Sequence, residues 1–300
     1  MEGFKRYGGI ALMASTAMTY LLARYGLKAA VTGGRLWLFL LTIILPFFVM
    51  YGGFRGMVIN LFLIMALLFF FEGLHHSRLM APMILGLILA VTLVVPFAGR
   101  LPLTIQRSLT FLPLNNLDAQ AVSDAEGSSE WRLKIWREVW PQVPQYLLLG
   151  KGYNLTADDY SRMGQNVFNS DAAAAFDPSS VGLAVSMDYH NGPLSVLMPF
   201  GIWGALSFLW FTLAGGYVLY RNYRHGDPDL LIINRFLLIW WVVHLLGFLF
   251  IFGNYPSDIG YFGGVFGLSV ALNNGLARPA AQPVFHPLIR PQPVLAPETL

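Results

Sequence analysis

The sequence contains no cysteine, which excludes disulfides, thiolate metal sites and a cysteine nucleophile. Charge is scarce as well: Asp, Glu, Lys and Arg make up 12% of the residues, where an ordinary soluble domain carries roughly a quarter. A soluble fold does not fit that composition. Three motifs are also missing: His-Glu-x-x-His, a pair of histidines at helical spacing in the long polar stretch, and the phosphate-cradling Gly-x-x-x-x-Gly-Lys. A metal or nucleotide enzyme is therefore unsupported, and no cofactor is expected. The net charge of +3 does not indicate nucleic acid, because the basic residues are scattered over short loops rather than gathered in a patch.

What fills the chain is apolar, 56% of its 300 residues. Runs with almost no charge lie near 7–23, 36–51, 57–71, 81–98, 193–220, 230–252 and 259–273. Several reach or approach the ~20 residues that cross a bilayer as a helix. They predict an all-α, polytopic transmembrane helix bundle of about seven spans, in contact with membrane lipids. The boundaries follow: spans one to four over 1–98, a large extracytoplasmic loop with short helices over 99–191, spans five to seven over 192–275, and a tail over 276–300. Six prolines from Pro279 to Pro297 make that tail extended rather than helical.

Cytoplasmic loops carry an excess of Lys and Arg. With the N-terminus outside, the cytoplasmic segments hold Arg24, Lys28, Arg35, Arg78, Arg221, Arg224, Arg235, Arg278 and Arg290, against Lys5, Arg6 and Arg55 outside. This orientation puts the 99–191 loop on the outer face. It leaves Lys5 and Arg6 on an unusual side of a first span, from which we expect upstream spans and a longer parent protein.

The loop contains seven basic and ten acidic residues, a net −3. Asp118 to Ser129 is small and polar and reads as loop, as does Ala172 to Ala175. Ser129 to Trp140 reads as a helix, with Ser128 or Ser129 as N-cap and Pro141 at its end. At about 100° per residue, Leu133, Ile135, Trp136, Val139 and Trp140 fall on one face and Lys134 and Glu138 on the other. Arg132 lies in the middle of the apolar face, where it either reaches lipid headgroups as part of an interfacial helix or meets a bound phosphate through its planar fork. Arg55 follows the Gly52-Gly53 reversal and is pinned at the outer boundary, read either as a snorkelling anchor or as a second cation for the same anion. Arg100, Arg107 and Arg137 are weaker helpers. His190, in Asp188-Tyr189-His190-Asn191-Gly192-Pro193, is either structural or a proton-exchanging base, with Asp188 or Asn191 available to orient it. Asp227-Pro228-Asp229 reads as a turn, and Asp158-Asp159 as a solvated pair.

In order, then, come Gly-Gly-Phe-Arg55-Gly between spans, Arg132-Leu-Lys-Ile-Trp136 in the loop, Leu149-Gly150-Lys151-Gly152-Tyr153, and His190-Asn191 entering a span with Gly201-Ile202-Trp203-Gly204. This order, over roughly residues 36 to 220, resembles the O-antigen ligase and polymerase family of bacterial membrane glycosyltransferases. The resemblance implies transfer of a glycan from undecaprenyl diphosphate to a glycan, lipid A core or other hydroxyl acceptor. The reaction would take place on the periplasmic side of the inner membrane, without metal or nucleotide. It also implies roles: Arg55 and Arg132 on the diphosphate, His190 on the acceptor hydroxyl, with Arg137, Arg100, Arg107, Asn191 and Trp136 as weaker substrate contacts. Two other classes compete. A transporter would use Asn60, His244 and Asn254 as polar lining, and a structural subunit would tolerate replacement of the loop arginines.

Overall fold

In a computed structural model, residues 6–153 and 189–278 are described. Lys5, Asp158-Asp159, Ala172 to Ala175, Asp188 and the prolines from Pro279 onward lie outside them. Every regular element among the described residues is helical: α1 Gly8–Thr32, α2 Leu36–Tyr51, α3 Arg55–Phe71, α4 Met80–Phe97, α5 Leu103–Leu109, α6 Ala119–Val139, α7 Val143–Tyr146, α8 Gly192–His225, α9 Leu231–Leu246 and α10 Tyr255–Leu272. A π-helical turn, Gly247–Ile251, continues α9.

Helices stand at each of the seven apolar runs, but the expected count of seven spans is not reached on length and composition. Among the described residues three helical stretches are long and apolar enough to cross a membrane: Met80–Arg100, Gly192–His225 and Pro228–Ile251. A fourth is reached if α1 and α2, bent by 112° at their junction, count as one broken span. Sixteen and seventeen residues give α2 and α3 about 24–26 Å at ~1.5 Å per residue, short of a ~30 Å hydrocarbon core. The described residues form the helical architecture of an integral membrane protein.

The main core gathers Met18 and Leu22 of α1, Leu68 of α3, Leu219 of α8, Trp241 of α9 and Phe262 of α10. Gly215 makes the room for Trp241, since a side chain there would meet the indole at 2.5 Å. Between membrane helices such close approach supplies the attraction that water exclusion supplies elsewhere. A second cluster, Ile135, Val139, Tyr189, Leu194 and Met198, with Trp131 and Trp136 against it, fastens α6 to the start of α8.

The loop helix is longer than expected. It starts at Ala119 rather than near Ser129, and its N-cap is Asp118, whose side chain accepts from the Gln120 backbone N–H at 2.8 Å. Asp118 to Ser129 is thus helix and not loop: Ala121 and Ala125, four apart, are buried and give this polar stretch a narrow packing stripe. The face expected to be apolar is also redrawn. Ile135 and Val139 are buried, while Leu133 and Trp140 are exposed. Pro141 marks the end as expected, with Trp140–Gln142 as a single 3-10 turn. Asp227 likewise caps a turn, accepting from Asp229 N–H at 2.9 Å.

The glycine motif after α7 has a packing cause. Gly201 breaks α8 with φ 65°, and a side chain there would meet the Leu148 carbonyl oxygen at 2.6 Å. Into that break the Leu147–Gly152 segment docks by backbone pairing: Ile202 N–H to Leu147 O at 2.7 Å, Lys151 N–H to Met198 O at 2.7 Å, and Gly152 N–H to Pro199 O at 3.0 Å. Gly201→Ala therefore introduces both a positive-φ penalty and a backbone clash, and we expect a loss on the order of 2 kcal/mol. Thermal unfolding in detergent, with Gly263→Ala in open space as reference, measures it; equal midpoints for the two would contradict the packing.

Candidate functional site

The site begins with the Gly52-Gly53 reversal. Gly53 takes φ 78°, a left-handed value that glycine adopts at little cost. The turn is gripped from two sides, with Tyr7 N–H donating to Gly52 O at 3.3 Å and the Arg107 guanidinium donating to Gly53 O. Arg55 opens α3 directly after it. Its terminal nitrogen donates to Ala125 O at 2.7 Å and to Ser129 Oγ at 3.1 Å, both on α6. Arg55 thus reaches off its own helix and lies along the loop helix.

Asp124 is the hinge of this arrangement. Its Oδ2 accepts from Arg107 of α5 and, at 3.0 Å, from Arg6. Burial pushes the Asp124 carboxyl up, but the hydrogen bond and charge of Arg107, followed by those of Arg6, outweigh it and hold the group below the ordinary carboxylate range. Among the described residues Arg55 has no such partner: its hydrogen bonds there go to neutral oxygens. It is partly withdrawn from water, the charges of Arg107, Arg132 and Arg6 oppose its own, and Asp124 alone favours it. Cations collected around a guanidinium in this way favour an incoming anion there.

Arg132 lies three residues beyond Ser129 on the same side of α6. It is half-buried, and its guanidinium carbon is 5.6 Å from the centre of the Phe252 ring. The same ring meets His190 edge to face at 5.0 Å, and Trp131 meets His190 at 4.8 Å. His190 and Arg132 are thus brought to one aromatic side chain, and Arg55 approaches along α6.

His190 itself has φ 48°, a left-handed value that costs a non-glycine residue roughly 1–2 kcal/mol. Its neighbours fix it there. Trp136 Nε1 donates to Tyr189 O at 2.9 Å on one side, and Asn191 Oδ1 caps α8 by accepting from Leu194 N–H at 3.1 Å on the other. Strain held in this way by surrounding contacts is a common mark of a working residue.

The remaining sequence candidates separate. Arg107 is buried and engaged by Asp124 and Gly53 O, so it braces the turn. Trp136 braces Tyr189, and Asn191 acts as a helix cap. Arg100 is exposed and rests on Phe97 at 5.7 Å. Arg137 is exposed and shares a hollow with Gly127, Glu130, Trp131, Leu133 and Lys134 on another side of α6. Arg6, Asp124, Ser129 and Phe252 were not foreseen as site residues. Asp124 and Ser129 become visible once Asp118 is taken as the N-cap, because the longer helix then carries both; Arg6 and Phe252 have no local signal.

A family model described as O-antigen ligase matches residues 9–209. Neither a curated protein nor a solved structure matches the chain. The matched span takes in Arg55, Asp124, Arg132 and His190 and ends before Phe252.

Since the folded-state pKa of Asp124 lies below its ordinary 3.8, its stabilising contribution is complete above that value and is lost as pH falls through the folded value. Asp124→Asn is expected to lower the unfolding midpoint by a constant amount from about pH 7 to about pH 5, with the gap closing in more acidic buffer. A gap that widens on acidification would contradict the arginine clamp.

Proposed function

Because the chain belongs to the O-antigen ligase family, we propose that it transfers a glycan from undecaprenyl diphosphate to an acceptor hydroxyl at the periplasmic face of the bacterial inner membrane. The observation that supports this most directly is Arg55: a half-buried guanidinium at a helix start, bonded to neutral oxygens and opposed by three other arginines. Such a cation is stabilised by an incoming anion. A diphosphate, with two adjacent charged groups, fits a pair of arginines better than a monoanion does.

In this reading Arg55 and Arg132 hold the diphosphate. The acceptor oxygen forms its bond to the anomeric carbon as the bond from that carbon to the diphosphate oxygen breaks, and the electron pair leaves with undecaprenyl diphosphate. Charge builds on the leaving oxygen, where the two guanidiniums stabilise it. His190 takes the acceptor's proton. A diphosphate is already a good leaving group, so positioning and charge stabilisation supply most of the rate, and the chemistry asks for neither metal nor nucleotide. A polymerase would use the same geometry with a growing glycan as the acceptor.

The topology we propose keeps seven spans, with the short α2 and α3 and the bent α1 crossing where the bilayer is thinned or where they tilt against neighbours. The bonds of Arg6 to Asp124 and of Tyr7 to Gly52 support putting the start of α1, the α2–α3 turn and the loop helix on one face. The cytoplasmic excess of Lys and Arg supports calling that face periplasmic.

Single replacement of Arg55, Arg132 or His190 by Ala, with membrane insertion confirmed, tests the reading. Transfer is expected to fall by about 100-fold or more, as for removal of one oxyanion donor, and carrier-linked glycan should accumulate. Three variants with wild-type surface polysaccharide would refute it.

A further inference from the structure

The ring that joins Arg132 to His190 comes from a part of the chain far from both. α9 ends in the π-helical turn Gly247–Ile251, closed by the Phe252 N–H donating to Gly247 O at 2.8 Å, and Phe252 leaves it in extended geometry. The extra residue in such a turn redirects the chain, here away from the α9 axis and toward the His190 turn.

Two contacts then lock the segments together. Gly253 lies against Gly192, so closely that a side chain on Gly253 would meet the Gly192 Cα at 2.7 Å and the Phe248 carbonyl oxygen at 2.7 Å. Three residues further along α8, the buried Ser195 accepts from the Tyr255 N–H at 2.9 Å. His190-Asn191-Gly192 and Phe252-Gly253 are therefore held side by side by the Gly192–Gly253 approach and the Ser195 hydroxyl, whichever side chain position 252 carries. Into that fixed register the sequence places phenylalanine. Its ring packs edge to face with His190 at 5.0 Å and carries the Arg132 guanidinium carbon 5.6 Å from its centre, and it remains 46% exposed. A side chain kept for core packing would be covered; this one is half open and spends its faces on a cation and an imidazole.

We infer that Phe252 is a positioning residue for glycan transfer, an aromatic spacer that sets the Arg132 guanidinium and the His190 imidazole relative to each other. The inference rests on the roles given to those two residues above. It also extends the site past the segment matched by the family model, to a residue on the π-helical exit of α9.

The ring acts through its π face, toward a cation, and through its edge, toward an imidazole. Leucine fills comparable space but offers neither. A displacement of about 1 Å in a reacting group can reduce a rate by roughly 100-fold. Tyrosine and tryptophan keep the face and the edge.

The test uses the full chain in proteoliposomes, with undecaprenyl-diphosphate-linked glycan as donor and lipid A core as acceptor, both extracted from cells, and release of undecaprenyl diphosphate as the measured product. For Phe252→Leu we expect kcat to fall about tenfold or more, with KM for the donor within about threefold, and for Phe252→Tyr and Phe252→Trp a kcat within about threefold of wild type. If the leucine variant does not accumulate in the membrane, Phe252→Met, unbranched and equally without a ring, is read in its place. Wild-type kcat without the ring overturns the inference, as does loss carried by KM alone, or a tyrosine variant as slow as the leucine one. Arg132→Ala and His190→Ala are assayed alongside. If they are active, the roles of those residues fall; if they are inactive while Phe252→Leu is wild type, only the role of Phe252 falls.

Discussion

One carboxylate ties together the helix ends around Arg55. Asp124 accepts from Arg107 and Arg6, and Arg107 in turn donates to the carbonyl of Gly53. Through these bonds the start of α1, the α2–α3 reversal, α5 and α6 become one joint. Exposed ion pairs contribute little as a rule. Here the Arg107 side of the pair is buried, and removing Asp124 would leave that guanidinium without its counterion, which is the costly case. The joint also fixes where α6 lies against α3, so that Arg55 finds Ala125 O and Ser129 Oγ rather than a carboxylate. The charge that is left over at Arg55 is a consequence of how the neighbouring charges are spent.

The opposite ends of the helices follow the same rule with a different outcome. α1 breaks at Gly26, and the Glu72 carboxylate at the end of α3 accepts from the freed N–H groups of Leu27 and Lys28 and lies 3.6 Å from Arg235. Nearby, Asn222 donates to Ser269 Oγ at 3.0 Å and accepts from Ala277 N–H at 2.8 Å, while Asn234 and Asn273 bond each other. These polar groups satisfy one another and bind α1, α3, α8, α9 and α10 at their ends. The asparagine cluster at this end is structural; at the other end Arg55 is bonded to neutral oxygens.

Much of this was legible in the sequence because it depends on local physics. Apolar runs gave the helices, Gly52-Gly53 gave the reversal before Arg55, and the position of Pro141 gave the end of the loop helix. The start of that helix was missed because Asp118 to Ser129 is rich in small polar residues; its helicity comes from an N-cap and from the burial of two alanines, a tertiary effect. The apolar face was partly misdrawn for a related reason: Leu133 and Trp140 satisfy the periodicity, but the partner surface formed by Tyr189, Leu194 and Met198 meets Ile135, Trp136 and Val139 and leaves those two exposed. Phe252 was out of reach altogether, since its meaning arises from a π-helical turn and a Gly192–Gly253 contact between segments sixty residues apart in the chain.

The central claim is that the outer face holds a diphosphate on Arg55 and Arg132. Binding of undecaprenyl diphosphate and of undecaprenyl monophosphate to the purified chain in detergent, each over a range of salt, tests it most directly. The account predicts that the diphosphate binds at least about tenfold more tightly, that the preference weakens as salt is raised, and that it disappears in Arg55→Ala. Equal affinity for the two lipids, unchanged by salt and by loss of Arg55, would contradict it.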